Sequence, residues 1–251
     1  MTIIIDGKSY DCEHGEYLLD IARRNGITIP TLCHHEGLPG QGCCRVCIVE
    51  VEVNDWRTIV TACVYPVERE CSVFTQSEKV CKQRGLILSL LRSRAPESAR
   101  IASLCDEYDA LAHKRFTQRS GESCILCGLC AKACESLGTG AISTVNRGVD
   151  KVVTTPYDEP SPVCVGCASC ALVCPTGAIA VDEDEKERRI WNKALPLKEC
   201  ERCGCVIGTY GEIWRAKKKA DTEPPELCDA CRKKSITEVM AMTYGSAAQE
   251  P

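Results

Sequence analysis

Aromatic residues are scarce in this chain, with two Phe, three Trp and seven Tyr among 251 residues. A single large core would ordinarily draw on more of them, so several small units, each organised around something other than bulk apolar packing, are expected. Histidine is rarer still: the four present are scattered and leave no Ser/His/Asp or Cys/His arrangement for nucleophilic catalysis. No G-x-G-x-x-G follows a strand and no G-x-x-x-x-G-K-[ST] loop occurs, so no flavin, nicotinamide or nickel site is expected, and "GTYG" at 208–211 is too isolated to mark a phosphate site. A basic excess is missing too: 31 Lys and Arg stand against 35 Asp and Glu, for a net charge of −4, which argues against nucleic acid as a partner. The one basic run, "RAKKKA" at 215–220, reads as a solvated turn or helix face. The longest apolar run, "GLILSLL" from Gly85, falls far short of a bilayer span. The opening stretch "MTIIIDGKSYDCEHGEYLLD" has no basic n-region, apolar h-region or cleavage site, so a cytoplasmic location is expected.

What the chain has in excess is cysteine, 22 in all. Such density means disulfides in an oxidising compartment or metal sites in a reducing one. Without export signals, metal ligation is the expectation.

The cysteines fall into groups. The N-terminal stretch reads as an α+β unit. Residues 2–5 and 8–13 flank the turn Asp6-Gly7 as a hairpin. "EYLLDIARRNGI" places Tyr17, Leu18, Ile21 and Ala22 on one helical face with Gly26 as a C-terminal cap. "CRVCIVEVEV" and "WRTIVTAC" are β-branched and strand-like. From Ser77 the pattern turns helical; Pro96 separates two helices, the second presenting Ile101, Leu104, Cys105, Tyr108 and Leu111 on one face. A repeated cysteine block follows, then "DEDEKERR" as a polar exit, a last cysteine group at 200–231, and some fifteen residues expected to fray.

The repeat is the most specific signal. "CILCGLCAKAC" (124–134) and "CVGCASCALVC" (164–174) share the pattern Cys-x2-Cys-x2-Cys-x3-Cys, followed by "GTGAI" and "PTGAI". The spacing resembles that of bacterial ferredoxins, in which three cysteines of one run and the fourth of the other hold each [4Fe–4S] cluster. Thiolates are soft, anionic iron ligands, and two-residue gaps let a tight turn aim several at one cube. The resemblance implies one cluster on Cys124, Cys127, Cys130 and Cys174 and another on Cys164, Cys167, Cys170 and Cys134. Pro175 follows Cys174 as in the family, but Glu135 follows Cys134. A pair of zinc sites would instead show two closed four-cysteine sets, usually built from pairs.

"PTLCHHEGLPGQGCCRVCIVEVEV…VTACVYPVE" resembles the [2Fe–2S] domain of iron–sulfur subunits of complex I, NAD-linked hydrogenases and related formate dehydrogenases. Its ten-residue gap between Cys33 and Cys44 is longer than the plant-type C-x4-C-x2-C. The resemblance implies Cys33, Cys44, Cys47 and Cys63 as ligands; on sequence alone Cys43 competes with Cys44, and the "CRVC" pair favours Cys44. Gly37, Gly40 and Gly42 suit close approach of backbone N–H groups to the cluster. His34 and His35 lack the second Cys–His pair a Rieske centre needs, and read as outer or surface residues. Relatives often carry a histidine and three cysteines next in the chain for another [4Fe–4S] cluster. Here 77–118 offers only Cys81, Cys105 and His113 at unsuitable spacing, so that cluster is expected to be absent.

"CERC" (200–203) and "CDAC" (228–231) form two knuckles able to meet in an all-thiolate site on Cys200, Cys203, Cys228 and Cys231. Zinc is favoured over a further iron–sulfur cluster, with Cys205 close enough to replace a ligand. Six cysteines remain, Cys12, Cys43, Cys71, Cys81, Cys105 and Cys205, read by default as small buried hydrophobes.

The expected architecture is therefore α+β in four parts: a β-grasp [2Fe–2S] ferredoxin-like domain (1–76), a helical linker (77–118), a 2[4Fe–4S] ferredoxin domain (119–185) and a C-terminal four-cysteine metal-binding region with its tail (186–251). Clusters without a substrate site imply a conduit: a non-catalytic electron-transfer subunit of a multisubunit oxidoreductase. By resemblance its partners are a flavoprotein handling NAD(P)H and a catalytic subunit such as a hydrogenase or formate dehydrogenase. The alternatives are a free multi-cluster ferredoxin and an enzyme with a catalytic centre built from the remaining cysteines.

Overall fold

The computed structural model describes residues 1–110, 120–221 and 227–244. Leu111 and His113 lie outside the described residues, as does the end of the tail. The chain divides into two compact units, one comprising 1–136, 144–153 and 170–179 and the other 137–143, 154–169 and 180–251.

The first unit opens with the expected hairpin, β1 (Thr2–Ile5) and β2 (Lys8–Asp11), turning through Asp6 and Gly7, both at positive φ. Helix α1 (Leu18–Arg24) follows, and Gly26 stands just beyond its cap at φ +71°. Strands β3 (Ile48–Val53), β4 (Trp56–Thr61) and β5 (Ser72–Phe74) complete a five-stranded sheet in the order β2-β1-β5-β3-β4. All pairings are antiparallel except β1 with β5. Ile3, Ile5, Leu18, Leu19, Ile21, Val49 and Val73 bury their side chains between sheet and helix, with Cys47 and Cys63 in the same cluster.

Helix α2 (Glu78–Arg94), capped by Ser77 Oγ, and helix α3 (Ala99–Glu107), capped by Ser98 Oγ, flank Pro96 as the sequence predicts. Ile101, Leu104 and Cys105 are buried; Tyr108, half-buried, has left the helix as its C-cap. These helices build a second apolar cluster, in which Leu88, Ala95, Ile101 and Leu104 pack with Leu32, Cys33, Cys44, Ile125, Cys127 and Leu129. Helix α4 (Leu129–Ser136) carries Cys130 and Cys134. Beyond it lie the short strands β6 (Ser143–Val145) and β7 (Val152–Thr154), paired with each other, and the single turn α5 (Ser169–Leu172).

The second unit differs from the sequence expectation. "DEDEKERR" is no mere polar exit: it forms β8 (Asp182–Glu183) and β9 (Glu187–Ile190), which join β10 (Lys193–Glu199) and β11 (Val206–Thr209) in a four-stranded sheet. The acidic run faces the basic one in register, Asp182 opposite Arg189 and Glu183 opposite Arg188, so cross-strand charge pairs replace an apolar alternation. Helix α6 (Tyr210–Ala220) carries the "RAKKKA" run, with Lys217, Lys218 and Lys219 in its last turn, where cations complement the helix dipole. The stretch expected to fray instead continues helix α7 (Asp229–Tyr244) as far as Tyr244. The reason is tethering: Cys231 is buried in its first turns, and Arg202 grips Glu238 through two hydrogen bonds of 2.6 and 3.2 Å.

Candidate metal centres

The N-terminal cysteine set comes together in the first unit. Cys33, Cys44, Cys47 and Cys63 are all buried. The Cys44 amide donates to Cys33 Sγ at 3.3 Å, and Cys47 Sγ lies 3.3 Å from Cys63 Sγ. The loop between the first two is fitted closely around the site: a methyl group on Gly40 would lie 3.0 Å from the Cys63 carbonyl oxygen, and one on Gly42 would lie 3.1 Å from Val64. Gly42 also sits at φ +58°, which side chains resist. Crowding among buried thiols raises Cys44, chiefly through Cys33, and raises Cys47, chiefly through Cys63, while Cys63 is lowered by its contact with Cys47. As free thiols several of these groups stay protonated at neutral pH, so a metal or cluster has to displace protons.

Cys43 borders the set at its edge. It is exposed, and its thiol donates to the Cys127 carbonyl at 3.2 Å; a contact with the Cys33 thiol lowers its pKa. The histidines stand apart from the sulfurs: His34 Nδ1 lies 3.1 Å from Arg23 Nη1, and His35 Nδ1 accepts the Gly37 amide at 3.1 Å. Arg84 was not singled out by sequence. It is fully buried and donates to the carbonyls of Val46 at 3.0 Å and Ile48 at 2.6 Å, the two residues flanking Cys47, while its guanidinium stacks on Tyr108.

In the same unit Cys124, Cys127, Cys130 and Cys174 are buried or half-buried. Burial pushes Cys127 up to about 12 and Cys130 up to about 11. Backbone amides already serve two of the sulfurs, Leu126 N–H to Cys124 Sγ and Ala178 N–H to Cys174 Sγ, each at 3.3 Å. Such amide donors are what an anionic thiolate–sulfide cluster requires. The duplication is visible in the backbone. Leu126 and Gly128 have φ of +56° and +76°, and the matching positions of the second copy, Gly166 and Ala168, have +73° and +56°.

The remaining expected ligands, Cys134 and Cys170 in the first unit and Cys164 and Cys167 in the second, are grouped by sequence spacing. Within the second unit the loop bearing Cys164 and Cys167 is held by its carbonyls. Lys193 Nζ donates to Ser161, Pro162 and Cys164 at 2.9, 3.1 and 2.8 Å, Arg188 to Gly166 at 2.6 Å, and the Thr209 hydroxyl to Val165. Nothing in the sequence marks these three side chains.

At the C-terminal side Cys200, Cys203, Cys228 and Cys231 place their sulfurs within 4.8 Å of one another; it is the one such group among the described residues. Cys200 follows β10, Cys228 precedes α7, and Gly204 turns the first knuckle at φ +71°. The Cys228 amide holds Cys200 down to about 6, and the Cys231 amide lowers Cys228, whereas the Cys203 thiol pushes Cys231 up to about 12. Cys205 lies outside the group, 3.5 Å from Cys203, and its backbone carbonyl accepts the Cys200 amide.

The default reading of the six remaining cysteines holds for Cys12, Cys71 and Cys105, which are buried in the apolar clusters. It does not hold for Cys43 and Cys205, which are exposed, or for Cys81, which is half-buried and donates to Gln76 Oε1 at 3.4 Å.

Residues 1–78 match the model of a 2Fe-2S iron-sulfur cluster binding domain, and residues 123–178 that of a 4Fe-4S dicluster domain. Among curated proteins, the NADPH-Fe(3+) oxidoreductase subunit alpha of Geobacter sulfurreducens is 31% identical over 87% of this chain, and the NADP-reducing hydrogenase subunit HndD of Solidesulfovibrio fructosivorans 33% over 73%. A subunit of an NADH-quinone oxidoreductase of Rhizobium meliloti is 28% identical over 86%. The chain spans only 29%, 36% and 29% of those relatives' own lengths. A chain of the NAD+-reducing [NiFe]-hydrogenase, in a crystal structure of the H2-reduced state, superposes with a TM-score of 0.61 at 25% identity, covering 70% of this chain and 85% of that one. No helix among the described residues is long and apolar enough to cross a membrane. This protein therefore joins a 2Fe-2S iron-sulfur cluster binding domain to a 4Fe-4S dicluster domain, and is homologous to subunits of oxidoreductases and hydrogenases.

Proposed function

We propose that this chain is the relay subunit of a multisubunit oxidoreductase, passing electrons between a flavoprotein that handles NAD(P)H and a catalytic partner such as a hydrogenase or formate dehydrogenase. The observation that carries this reading is the convergence of two cysteine sets on one apolar cluster: Cys33 and Cys44 of the N-terminal set share it with Cys127 of the dicluster set. Cys43, next to Cys44 in the chain, hydrogen-bonds the Cys127 carbonyl and gives the pair a short bonded route.

In this reading Cys33, Cys44, Cys47 and Cys63 hold a [2Fe–2S] cluster in a β-grasp domain of residues 1–76. After the helical linker of 77–118, Cys124, Cys127, Cys130 and Cys174 hold one [4Fe–4S] cluster of the 119–185 domain, and Cys164, Cys167, Cys170 and Cys134 hold the other. The clusters supply one-electron chemistry when bound. The protein's part is to bury them, to donate backbone N–H groups to their sulfurs and to keep water out. At 186–251, Cys200, Cys203, Cys228 and Cys231 make a structural zinc site. Zn–S bonds of ~2.3 Å put tetrahedral thiolates less than 4 Å apart, in keeping with the 3.7 Å between Cys203 and Cys228. A four-iron cube, in which each thiolate caps a different iron, spreads its ligands wider.

Anaerobic affinity purification from the native host, with subunits identified by mass spectrometry, tests the assignment. Stoichiometric recovery of a flavoprotein and a hydrogenase- or formate-dehydrogenase-like chain is expected. Recovery of the chain alone, loaded with iron and redox-active, would overturn the subunit reading in favour of a mobile carrier.

A further inference from the structure

Gln41 lies in the loop between Cys33 and Cys44, flanked by Gly40 and Gly42. Its amide nitrogen Nε2 is buried and has no hydrogen-bond partner, one of two such side-chain atoms among the described residues. A buried N–H left unpaired is destabilising, so a native structure rarely tolerates one without an acceptor. The surroundings indicate where that acceptor belongs. The Gln41 amide is seated against Gly128, between Cys127 and Leu129: a methyl group there would lie 2.9 Å from Gln41 Oε1 and 3.6 Å from Nε2. The same loop is held to this turn by the Cys43 to Cys127 hydrogen bond. Cys127 precedes Gly128 in this turn and has Cys124, Cys130 and Cys174 as its neighbours, and the acceptors that a cluster on these cysteines offers an N–H are its sulfides and thiolate sulfurs.

We propose that Gln41 donates its side-chain N–H to the [4Fe–4S] cluster held by Cys124, Cys127, Cys130 and Cys174, so that a residue of the [2Fe–2S] domain sets the potential of a cluster in the dicluster domain. The proposal rests on the ligand assignment above. Reduction adds negative charge to the cluster, and a hydrogen bond to sulfur stabilises the charged form more. Gln41 is thus a positioning and tuning residue, and it biases the electron toward the [4Fe–4S] side of the junction.

The test is an EPR-monitored redox titration of the full-length, cluster-loaded chain and its Gln41→Met variant, which keeps length and flexibility but removes the donor. At a fixed potential the reduced-to-oxidised ratio of this [4Fe–4S] cluster should fall about tenfold, equivalent to ~59 mV for one electron, with the [2Fe–2S] potential unmoved. Wild-type protein labelled with 15N in the glutamine side-chain amides supplies a readout independent of any variant: a 15N coupling on the reduced [4Fe–4S] signal is expected. An unmoved [4Fe–4S] potential, a shift confined to the [2Fe–2S] cluster, or no 15N coupling would each overturn the proposal. Failure of the ligand assignment looks different. Wild-type protein would then show one [4Fe–4S] signal fewer than the two proposed, and the role of Gln41 would fall with it.

Discussion

The left-handed positions of the two cysteine runs show how a duplicated site survives unequal residues. In the first copy Leu126 occupies one such position and Gly128 the next; in the second the order is reversed, Gly166 then Ala168. Left-handed backbone is unfavourable for a residue with a Cβ by roughly 1–2 kcal/mol, so each copy stores strain at one position and avoids it at the other. The second copy offsets part of this through Lys193, which ties three loop carbonyls, and Arg188, which ties a fourth. Lys193→Met should free Ser161, Pro162 and Cys164 and loosen the turn that aims Cys164 and Cys167. The expected result is selective: reconstituted protein loses one [4Fe–4S] signal while the [2Fe–2S] signal and the other [4Fe–4S] signal persist. Equal cluster content in variant and wild type would show that the turn holds without its lysine. At the same scale, Arg84→Met leaves the carbonyls beside Cys47 without their charged donor. A loss of stability on the order of 2–4 kcal/mol is expected from hydrogen bonds of this kind, measurable as a lowered thermal midpoint of the loaded protein.

At the level of elements, legibility followed the source of each element's stability. Helices α2 and α3 were readable because capping serines and Pro96 act locally, and the N-terminal strands because β-branched residues alternate with turn glycines. The β8–β9 hairpin was not readable: its pairing depends on acidic residues meeting basic ones across strands, with Arg188 to Glu183 at 2.5 Å and Arg189 to Asp182 at 3.1 Å, and no periodicity announces that. Candidate cysteines could be grouped from spacing, but Gln41, Arg84 and Lys193 could not be singled out, since their neighbours are distant in sequence. Helix α7 was likewise hidden, because its anchor is the four-cysteine site. Removing the metal with a strong chelator should therefore cost helical ellipticity, and re-addition of zinc should restore it. Uptake should also depend on pH in a defined direction. Cys200 is held near 6 and ionises by neutral pH, but Cys231, near 12, keeps its proton and must surrender it to the metal. Affinity for zinc should rise with pH through neutrality and fall away below about 6, where Cys200 is protonated as well. Calorimetry in buffers of different ionisation enthalpy measures the protons released; release of none would contradict the assignment of Cys231 as a ligand.

For the molecule as a conductor, the decisive question is whether the [2Fe–2S] cluster passes its electron straight to a [4Fe–4S] cluster or needs an intermediary. Segment 77–118 lacks the cysteines for one, and its helices α2 and α3 fill the space with Leu88, Ile101 and Leu104. Those side chains exclude water and pack Cys33 and Cys44 into the same apolar cluster as Cys127, with Cys43 spanning the remaining gap by its 3.2 Å hydrogen bond. Two paramagnetic centres that share so small a core have to sense each other. With both reduced, the [2Fe–2S] EPR signal of the full chain should be broadened and fast-relaxing. In Cys124→Ala, which removes a ligand of the neighbouring cluster, it should become narrow and slow. A wild-type signal that stays narrow while its neighbour is reduced would place the two centres too far apart for direct transfer. The linker would then have to be reconsidered as the seat of another carrier. A signal that changes with the neighbour's oxidation state would make the apolar cluster around Cys33, Cys44 and Cys127 the first step of the wire, with the helices serving as its insulation.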